Sequence, residues 1–265
     1  MMGAAKLAVV MLLAMSMVAQ LADARRSYLQ RLERSIDMKV SKEPGGRFSA
    51  VTKFKLVDGA PACTIDPNTG LPVNAEPQRA YFKTNSRIRR LTKVYLVEID
   101  FNPCGHPPQT KWDIPHFDIH WYHDSETTEF HPQDDSVVCT PPEGYPFDFV
   151  CDDPEWFYAP EGVEAGNLAE GLTIDDHGVQ NMGTHWYNHD LPASEDWDEP
   201  VFIQGTYDGS LVFYELMFPA RVIEEEKFHY YAPSYPDKTF SFLPDMLMTW
   251  SKDGYAYMKV YGSIP

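Results

Sequence analysis

Residues 201–218, VFIQGTYDGSLVFYELMF, carry the strongest signal for the fold. Two runs rich in β-branched and aromatic residues flank the dipeptide DG at 208–209, which favours the type I′ turn of a two-residue hairpin loop. The stretch therefore predicts an antiparallel β-hairpin. Counting outward from that turn pairs Phe202 with Glu215.

Similar strand patterns occur on both sides of the hairpin. They are FSAVTKFKLV (48–57), LTKVYLVEIDF (91–101), PHFDIHWYH (115–123), THWYNH (184–189), MLMTW (246–250) and GYAYMKVYG (254–262). No segment keeps a helical period for long, so we expect few and short helices. The predicted fold class is all-β, either an antiparallel barrel or a strongly curved sandwich.

The first 24 residues have the composition of a signal peptide. Lys6 precedes the apolar run LAVVMLLAMSMVAQLA, and the small residues ADA at 22–24 form a cleavage motif. The apolar run is too short for a spanning helix, which needs roughly 18 apolar residues, and no later segment approaches that length. We therefore predict a secreted, extracellular protein without a membrane span.

Residues 25–46 are predicted to form an N-terminal arm or a short helix, and residues 47–265 a single β-rich domain. One side of that helix would carry four apolar residues, Tyr28, Leu29, Leu32 and Ile36. Within the domain, residues 124–170 form an acidic insertion rich in proline and aromatic residues. A segment of that length without strand patterns is typical of a lid or a binding loop.

Four cysteines remain after the signal peptide, and an even number in an oxidising compartment predicts two disulfides. Sequence alone leaves three pairings open. We favour Cys63 with Cys104 and Cys139 with Cys151, because the second pair closes a short loop. That pair would staple the long acidic insertion.

The charge is distributed unevenly along the chain. The net charge is −17, and residues 112–220 contain no Lys or Arg but 24 Asp and Glu and seven of the nine histidines. This excess of acidic residues produces a negative electrostatic field, which attracts cations and repels nucleic acid. We therefore predict no nucleic-acid partner. Paired aspartates at 134–135, 152–153 and 175–176 offer oxygen ligands for Ca²⁺, although no stretch has the EF-hand spacing.

The stretch PHFDIHWYH places polar residues on one face of a strand. Because side chains alternate, His116, Asp118, His120 and Tyr122 share a face, whereas His123 lies on the other face with the apolar residues. Histidines four positions apart on a strand are separated by roughly 13 Å, so His116 and His120 would converge only if the strand bends.

The triplet His-Trp-Tyr recurs in GTHWYNHD (183–190). If the two His-Trp-Tyr strands lie side by side, His120 and His185 approach each other. Glu215 belongs to a strand that is apolar on both faces, and a buried carboxylate needs a partner: a metal, an Arg or Lys, or a hydrogen-bonding Tyr or His.

These residues predict a divalent metal site with His116, His120, His185, Glu215 and Asp118 as candidate ligands. Zn²⁺ is the first choice, with Fe, Cu or Mn as alternatives. The corresponding function is a secreted metal-dependent enzyme, a lyase, isomerase, hydrolase or oxygenase, acting on a small molecule. Glu215 would be a ligand or general base, and Tyr122 or Tyr187 a proton donor.

Other interpretations stay open at this point. The same histidines could be hydrogen-bonded core residues, and we expect that role for the six others, His106, His123, His131, His177, His189 and His229. The protein could also be a non-catalytic extracellular protein that binds a small ligand or cations. In a third alternative, an assembly role, one face of the hairpin strand would form a subunit interface through Val212, Tyr214, Leu216 and Phe218.

Three stretches, PHFDIHWYH, MGTHWY and YDGSLVFYELM, resemble the motifs of an uncharacterised family of exported, mainly bacterial β-rich proteins. The resemblance covers about residues 115–218 and implies a β-barrel-like fold and a homo-oligomer. It places the family's polar residues at His116, Asp118, His120, His185 and Glu215. The chain departs from the pattern at Leu216, where the family has Pro, and the acidic segment 124–170 would be an insertion. The resemblance implies no settled activity.

Overall fold

Strands dominate the computed structural model, which describes most of the chain outside the N-terminus and several loops. The described residues are 26–56, 62–65, 67, 72, 77–106, 112–123, 150–151, 173–179, 183–187, 196–207, 210–224, 229–231 and 244–263. The predicted signal peptide and nearly all of the acidic insertion lie outside these residues. The predictions for those two segments, including the Cys139–Cys151 pairing and Ca²⁺ binding, stay predictions.

The described residues contain thirteen strands and three short helices. The strands are β1 (Asp37–Glu43), β2 (Arg47–Lys55), β3 (Gln78–Lys83), β4 (Val94–Asn102), β5 (His116–His123), β6 (Val150–Cys151), β7 (Thr173–Val179), β8 (Gly183–Tyr187), β9 (Val201–Tyr207), β10 (Ser210–Pro219), β11 (His229–Tyr231), β12 (Pro244–Lys252) and β13 (Tyr255–Ser263). The helices are α1 (26–35), α2 (Ser86–Thr92) and α3 (Ala220–Glu224).

The strands form two antiparallel sheets. Five strands pair in the order β1-β2-β13-β12-β11, and eight pair in the order β3-β4-β5-β10-β9-β8-β7-β6. The all-β, antiparallel prediction is therefore confirmed. Of its two architectures the sandwich fits, because the described strands do not close into a barrel: β3 and β6 are the two ends of the larger sheet.

The main core lies between the two sheets. Phe54 on β2 contacts Phe117 on β5 with ring centroids 5.2 Å apart, and the Trp121 indole donates a hydrogen bond of 2.9 Å to Thr52 across the same interface. Alternate residues of β4, β5 and β10 fill this core, and helix α1 adds Tyr28 and Leu32. The larger sheet thus has a core face and an opposite face, which we call the outer face.

The hairpin prediction is correct in its strands but not in its register. Strands β9 and β10 pair as predicted, yet the register shifts between Leu211 and Phe213, so Glu215 pairs with Ile203 and not with Phe202. A β-bulge explains the shift, because an extra residue on one strand displaces every later pair by one position.

The proposed interface face of β10 is inside the molecule. Tyr214, Leu216 and Phe218 are almost fully buried in the core between the sheets, while Val212 packs in a second apolar cluster. A subunit interface at these residues required that the chain leave this face uncovered. That condition is not met, because the five-stranded sheet and helix α1 cover Tyr214, Leu216 and Phe218.

The structure differs from the predicted strand at 91–101 and contains the predicted Cys63–Cys104 disulfide. The stretch 91–101 was predicted as strand throughout, but α2 extends to Thr92 and Lys93 follows in a left-handed conformation. The predicted Cys63–Cys104 disulfide is present. Within the described residues, no helix combines the length and the apolar character needed to cross a membrane.

Candidate metal centres

The outer face of the eight-stranded sheet carries a row of buried polar side chains. In the strand register, Glu98 on β4 lies opposite His120 on β5, which in turn lies opposite Glu215 on β10. One step along, Asp100 lies opposite Asp118. Charged groups this deeply buried require partners of opposite charge or metal ions.

The first cluster, which we call the Glu215 centre, consists of His120, His185 and Glu215. One ligand atom from each residue lies within 4.8 Å of the others. The Oε2 atom of Glu215 is 3.3 Å from the Nε2 atom of His120 and 3.5 Å from the Nε2 atom of His185. All three residues are buried.

His120 and Glu215 bring their ligand atoms to ion-pair distance, 3.3 Å, but not into good hydrogen-bond geometry. Among the described residues, Glu215 Oε2 and both ring nitrogens of His120 have no well-formed hydrogen bond. Buried polar atoms are nearly always hydrogen-bonded, so a group of them directed at one another without bonding geometry calls for a cause. A cation at about 2.0–2.2 Å from Glu215 Oε2 and His120 Nε2 would satisfy these two atoms, whereas Nδ1 of His120 lies on the other edge of the ring.

The two His-Trp-Tyr strands are not neighbours. Strands β10 and β9 lie between β5, which carries His120, and β8, which carries His185. The predicted side-by-side pairing of these strands was wrong. The two imidazoles nevertheless meet, because each reaches the same carboxylate oxygen of Glu215 from a different side.

Phe213 and Gly205 hold the imidazoles in place, and sequence reasoning assigned neither a role. The Phe213 ring lies 5.0 Å from the His120 ring and 5.1 Å from the His185 ring, measured between centroids. Gly205 pairs with Phe213 on one side and with His185 on the other. A Cβ atom at Gly205 would lie 1.9 Å from the Phe213 ring, so only glycine fits. A glycine inside a strand was the available signal for such a close approach.

Burial and charge act against each other on the ionisable groups of the Glu215 centre. Burial alone would lower the pKa of His120, but the Glu215 carboxylate and, less strongly, Glu98 and Asp100 raise the pKa of His120 to about 9. Burial also raises the pKa of Glu215, although His120 opposes that change. Without a metal, His120 is thus protonated at neutral pH, and a metal ion has to displace that proton.

The second cluster, which we call the Asp118 centre, consists of His106, His116 and Asp118. Their ligand atoms also lie within 4.8 Å of one another. Asp118 Oδ1 is 3.3 Å from His116 Nε2, and Asp118 Oδ2 is 3.4 Å from His106 Nε2. Burial would raise the pKa of the Asp118 carboxyl, but His116 and His106 hold it far below its usual range.

A third group of polar residues borders both centres. The Arg79 Nε atom lies 3.7 Å from Glu98 Oε1 and 3.5 Å from Asp100 Oδ2, and the Tyr122 hydroxyl donates a 2.8 Å hydrogen bond to Glu98. Burial, followed by the charge of Glu98, raises the pKa of Asp100 well above its usual value. Burial and then Glu98 likewise raise the pKa of the Tyr122 hydroxyl, so this phenol keeps its proton.

The structure divides the predicted ligand set between two centres. His120, His185 and Glu215 come together, whereas His116 and Asp118 lie with His106, for which no ligand role was predicted. Of the two predicted proton donors, Tyr122 is directed at Glu98, and Tyr187 packs against Trp112 with ring centroids 5.6 Å apart.

The remaining histidines are placed as follows. His123 lies on the core face as predicted, against Tyr214 with ring centroids 4.7 Å apart. The side chains of His131, His177, His189 and His229 are outside the described residues.

Comparisons with known proteins complete the description of the site. No protein family, curated protein or solved structure matches this chain. The resemblance to the exported β-rich family therefore stays a prediction.

Proposed function

We propose that the protein is an extracellular metal-binding protein, and that the Glu215 centre holds a divalent ion that takes part in catalysis on a small molecule. The observation that carries this proposal is the convergence of three buried ligand atoms, from His120, His185 and Glu215, within 4.8 Å. The lack of hydrogen bonds at His120 Nε2 and Glu215 Oε2 supports the same conclusion.

The ligand types favour Zn²⁺, with Fe, Cu or Mn as alternatives. Two imidazoles and one carboxylate form the protein ligands of many catalytic zinc sites and of non-haem iron oxygenases. Structural zinc sites usually have four protein ligands. Three ligands leave a coordination position for water or substrate, which supports a catalytic centre over a structural one.

The surroundings of the centre favour a small, largely apolar substrate. Phe213, which contacts both imidazoles of the Glu215 centre, belongs to an apolar cluster with Leu96, Trp112, Ile203 and Met217. A bound ion would polarise a substrate oxygen or lower the pKa of a bound water. Tyr122 stacks on His120 with ring centroids 5.7 Å apart, and its hydroxyl donates a hydrogen bond to Glu98. Lyase, isomerase, hydrolase and oxygenase reactions are all compatible with this set.

Export and assembly belong to the same proposal. The Cys63–Cys104 disulfide supports an oxidising, extracellular location. The family resemblance adds a homo-oligomer, whose interface would lie elsewhere than on the buried core face of β10.

Metal analysis of protein produced without a histidine tag tests the proposal. We expect about one ion to be lost from His120→Ala and from Glu215→Ala relative to the unsubstituted chain. His123→Gln is the matched control, because His123 belongs to the same strand but faces the other side. Unchanged metal content in both test variants would exclude this ligand set.

A second candidate function, non-catalytic binding, is favoured by the depth of the centre. His120 and Glu215 are 1% and 2% exposed and His185 9%, which leaves little room for substrate exchange. Native mass spectrometry of the purified protein, followed by incubation with any molecule it carries, separates the two functions. A retained, chemically unchanged ligand supports binding, and turnover supports catalysis.

A further inference from the structure

We infer that the Asp118 centre binds a second divalent cation, so that the chain holds two ions side by side on the outer face. Its ligands would be His116 Nε2, His106 Nε2 and an oxygen of Asp118, whose atoms lie within 4.8 Å of one another. Imidazole nitrogens with a carboxylate favour a transition-metal ion such as Zn²⁺ over Mg²⁺ or Ca²⁺.

His116 Nε2 and Asp118 Oδ1 are directed at each other across the centre, 3.3 Å apart. His116 is fully buried, yet among the described residues neither of these two atoms has a well-formed hydrogen bond. This repeats the arrangement of the Glu215 centre with an independent set of residues.

His116 and Asp118 each form a hydrogen bond with a neighbouring residue, as the ligands in metal sites usually do. The Nδ1 atom of His116 lies 2.7 Å from the Ile114 carbonyl oxygen, which can only accept, so Nδ1 carries the hydrogen and Nε2 presents its lone pair. Asn102 donates a 2.6 Å hydrogen bond to Asp118 Oδ2. Such outer contacts orient metal ligands and typically change metal affinity by about 10–100-fold when they are removed.

Two contacts anchor the segment that carries His106. Cys104 is bonded to Cys63, and the backbone N–H of His106 donates a 3.0 Å hydrogen bond to the Trp112 carbonyl. Gly105 between them has φ +72°, and a Cβ atom there would lie 2.0 Å from the same carbonyl oxygen. Only glycine permits this turn, which holds the half-buried His106 next to Asp118.

Histidines, and not Arg or Lys, are the described ion-pair partners of the carboxylates in both centres. The described ion-pair partners of Asp118 are His106 and His116, and those of Glu215 are other histidines. Arg79 lies instead beside Glu98 and Asp100. Among the described residues, the ion-pair partners of both carboxylates are imidazoles, which are metal ligands in their neutral form, and Asn102 adds a hydrogen bond to Asp118.

The two ions would be neighbours but not bridged by one atom. Asp118 and His120 are two positions apart on β5, which corresponds to about 7 Å along a strand. Metal pairs that share one bridging oxygen are about 3.5–4 Å apart. We therefore expect two separate centres with their own ligands.

The test counts Zn²⁺ ions bound to the full, untagged protein after chelator treatment and equilibrium dialysis. We expect two ions per unsubstituted chain, one in His106→Ala, one in His185→Ala and none in the double variant. His123→Gln should keep both. Two ions retained by His106→Ala, or one ion bound by the unsubstituted chain and lost in His185→Ala, would overturn the second site and leave the Glu215 centre standing. Two ions retained by His185→Ala would instead overturn the proposed function.

Asn102→Ala provides a second variant that leaves all ligands in place. We expect a 10–100-fold weaker second Zn²⁺ affinity with the first unchanged. If circular dichroism shows that His106→Ala fails to fold, this variant decides: equal affinities for both ions in Asn102→Ala and the unsubstituted chain would overturn the inference.

Discussion

At the scale of single residues, Gly205 makes room for the ring that positions both histidines of the Glu215 centre. Because a Cβ atom would meet the Phe213 ring at 1.9 Å, we expect Gly205→Ala to lower the free energy of unfolding by about 1–3 kcal/mol. The displaced ring should also move His120 and His185 and weaken Zn²⁺ binding. Urea unfolding and chelator competition measure the two effects.

A second substitution provides the control for this prediction. Phe213→Leu combined with Gly205→Ala removes the ring that the new methyl group would meet, so we expect the double variant to regain part of the lost stability. If Gly205→Ala alone is as stable as the unsubstituted chain, the close approach has no energetic consequence and this explanation of the glycine is wrong.

The pKa of His120 predicts how metal affinity depends on pH. Below a pKa of about 9 the imidazole carries a proton that the metal ion must displace. Between pH 7 and 9 we therefore expect the affinity for the ion at the Glu215 centre to rise by up to about tenfold per pH unit, and then to level off. Competition with a chelator of known proton affinity measures this. A flat profile over that range would show that His120 is neutral in the free protein.

Part of the site could be predicted from the sequence because it depends on the alternation of residues along one strand. Strand alternation was enough to place His116, Asp118 and His120 on one face, since it depends only on local backbone geometry. The roughly 13 Å spacing of His116 and His120 implied that they could share one ion only if the strand bends. Both were nevertheless assigned to one predicted ligand set, and the structure separates them into two centres. His106 was missed because its position depends on a disulfide and a turn, neither of which a strand pattern contains.

At the scale of elements, the Cys63–Cys104 disulfide connects stability to the Asp118 centre. A closed loop with a sequence separation of 41 residues predicts a loss of about 4 kcal/mol in the free energy of unfolding for the double Cys→Ser variant. Because Cys104 is two residues from His106, we also expect that variant to lose the second Zn²⁺ ion and keep the first. Urea unfolding and metal analysis test both statements, and retention of both ions would contradict the second.

The sequence did not show which strands are neighbours in the sheets. The hairpin β9–β10 was predictable because its turn is local, but the bulge that changes its register is not encoded in the alternation. The two His-Trp-Tyr strands were expected to pair, yet two strands lie between them. Pairing between distant strands depends on which faces complement each other in three dimensions, and the hydrophobic pattern of one strand does not contain that information.

At the scale of the whole molecule, the larger sheet separates two environments. Its core face packs against the five-stranded sheet, while its outer face collects the buried carboxyl groups Glu98, Asp100, Asp118 and Glu215. A buried acidic face of this kind destabilises the fold unless cations compensate it. Metal binding is therefore expected to be linked to folding of the entire chain.

This linkage gives a prediction for thermal unfolding. Zn²⁺ at 100 times its dissociation constant should stabilise the native state by about 2.7 kcal/mol for each site that binds it. We expect the Tm of the chelator-treated protein to rise when Zn²⁺ is restored, with a smaller rise in His185→Ala. Differential scanning calorimetry measures the shift, and an equal rise in the unsubstituted chain and in a variant lacking both His106 and His185 would indicate nonspecific binding.

The most direct test of the central claim is a crystal structure of the Zn²⁺-loaded protein with anomalous scattering data at the zinc edge. We expect an anomalous peak about 2.0–2.2 Å from His120 Nε2, His185 Nε2 and a carboxylate oxygen of Glu215. A map without a peak at that position, with His120 hydrogen-bonded directly to Glu215, would show that these residues do not hold an ion.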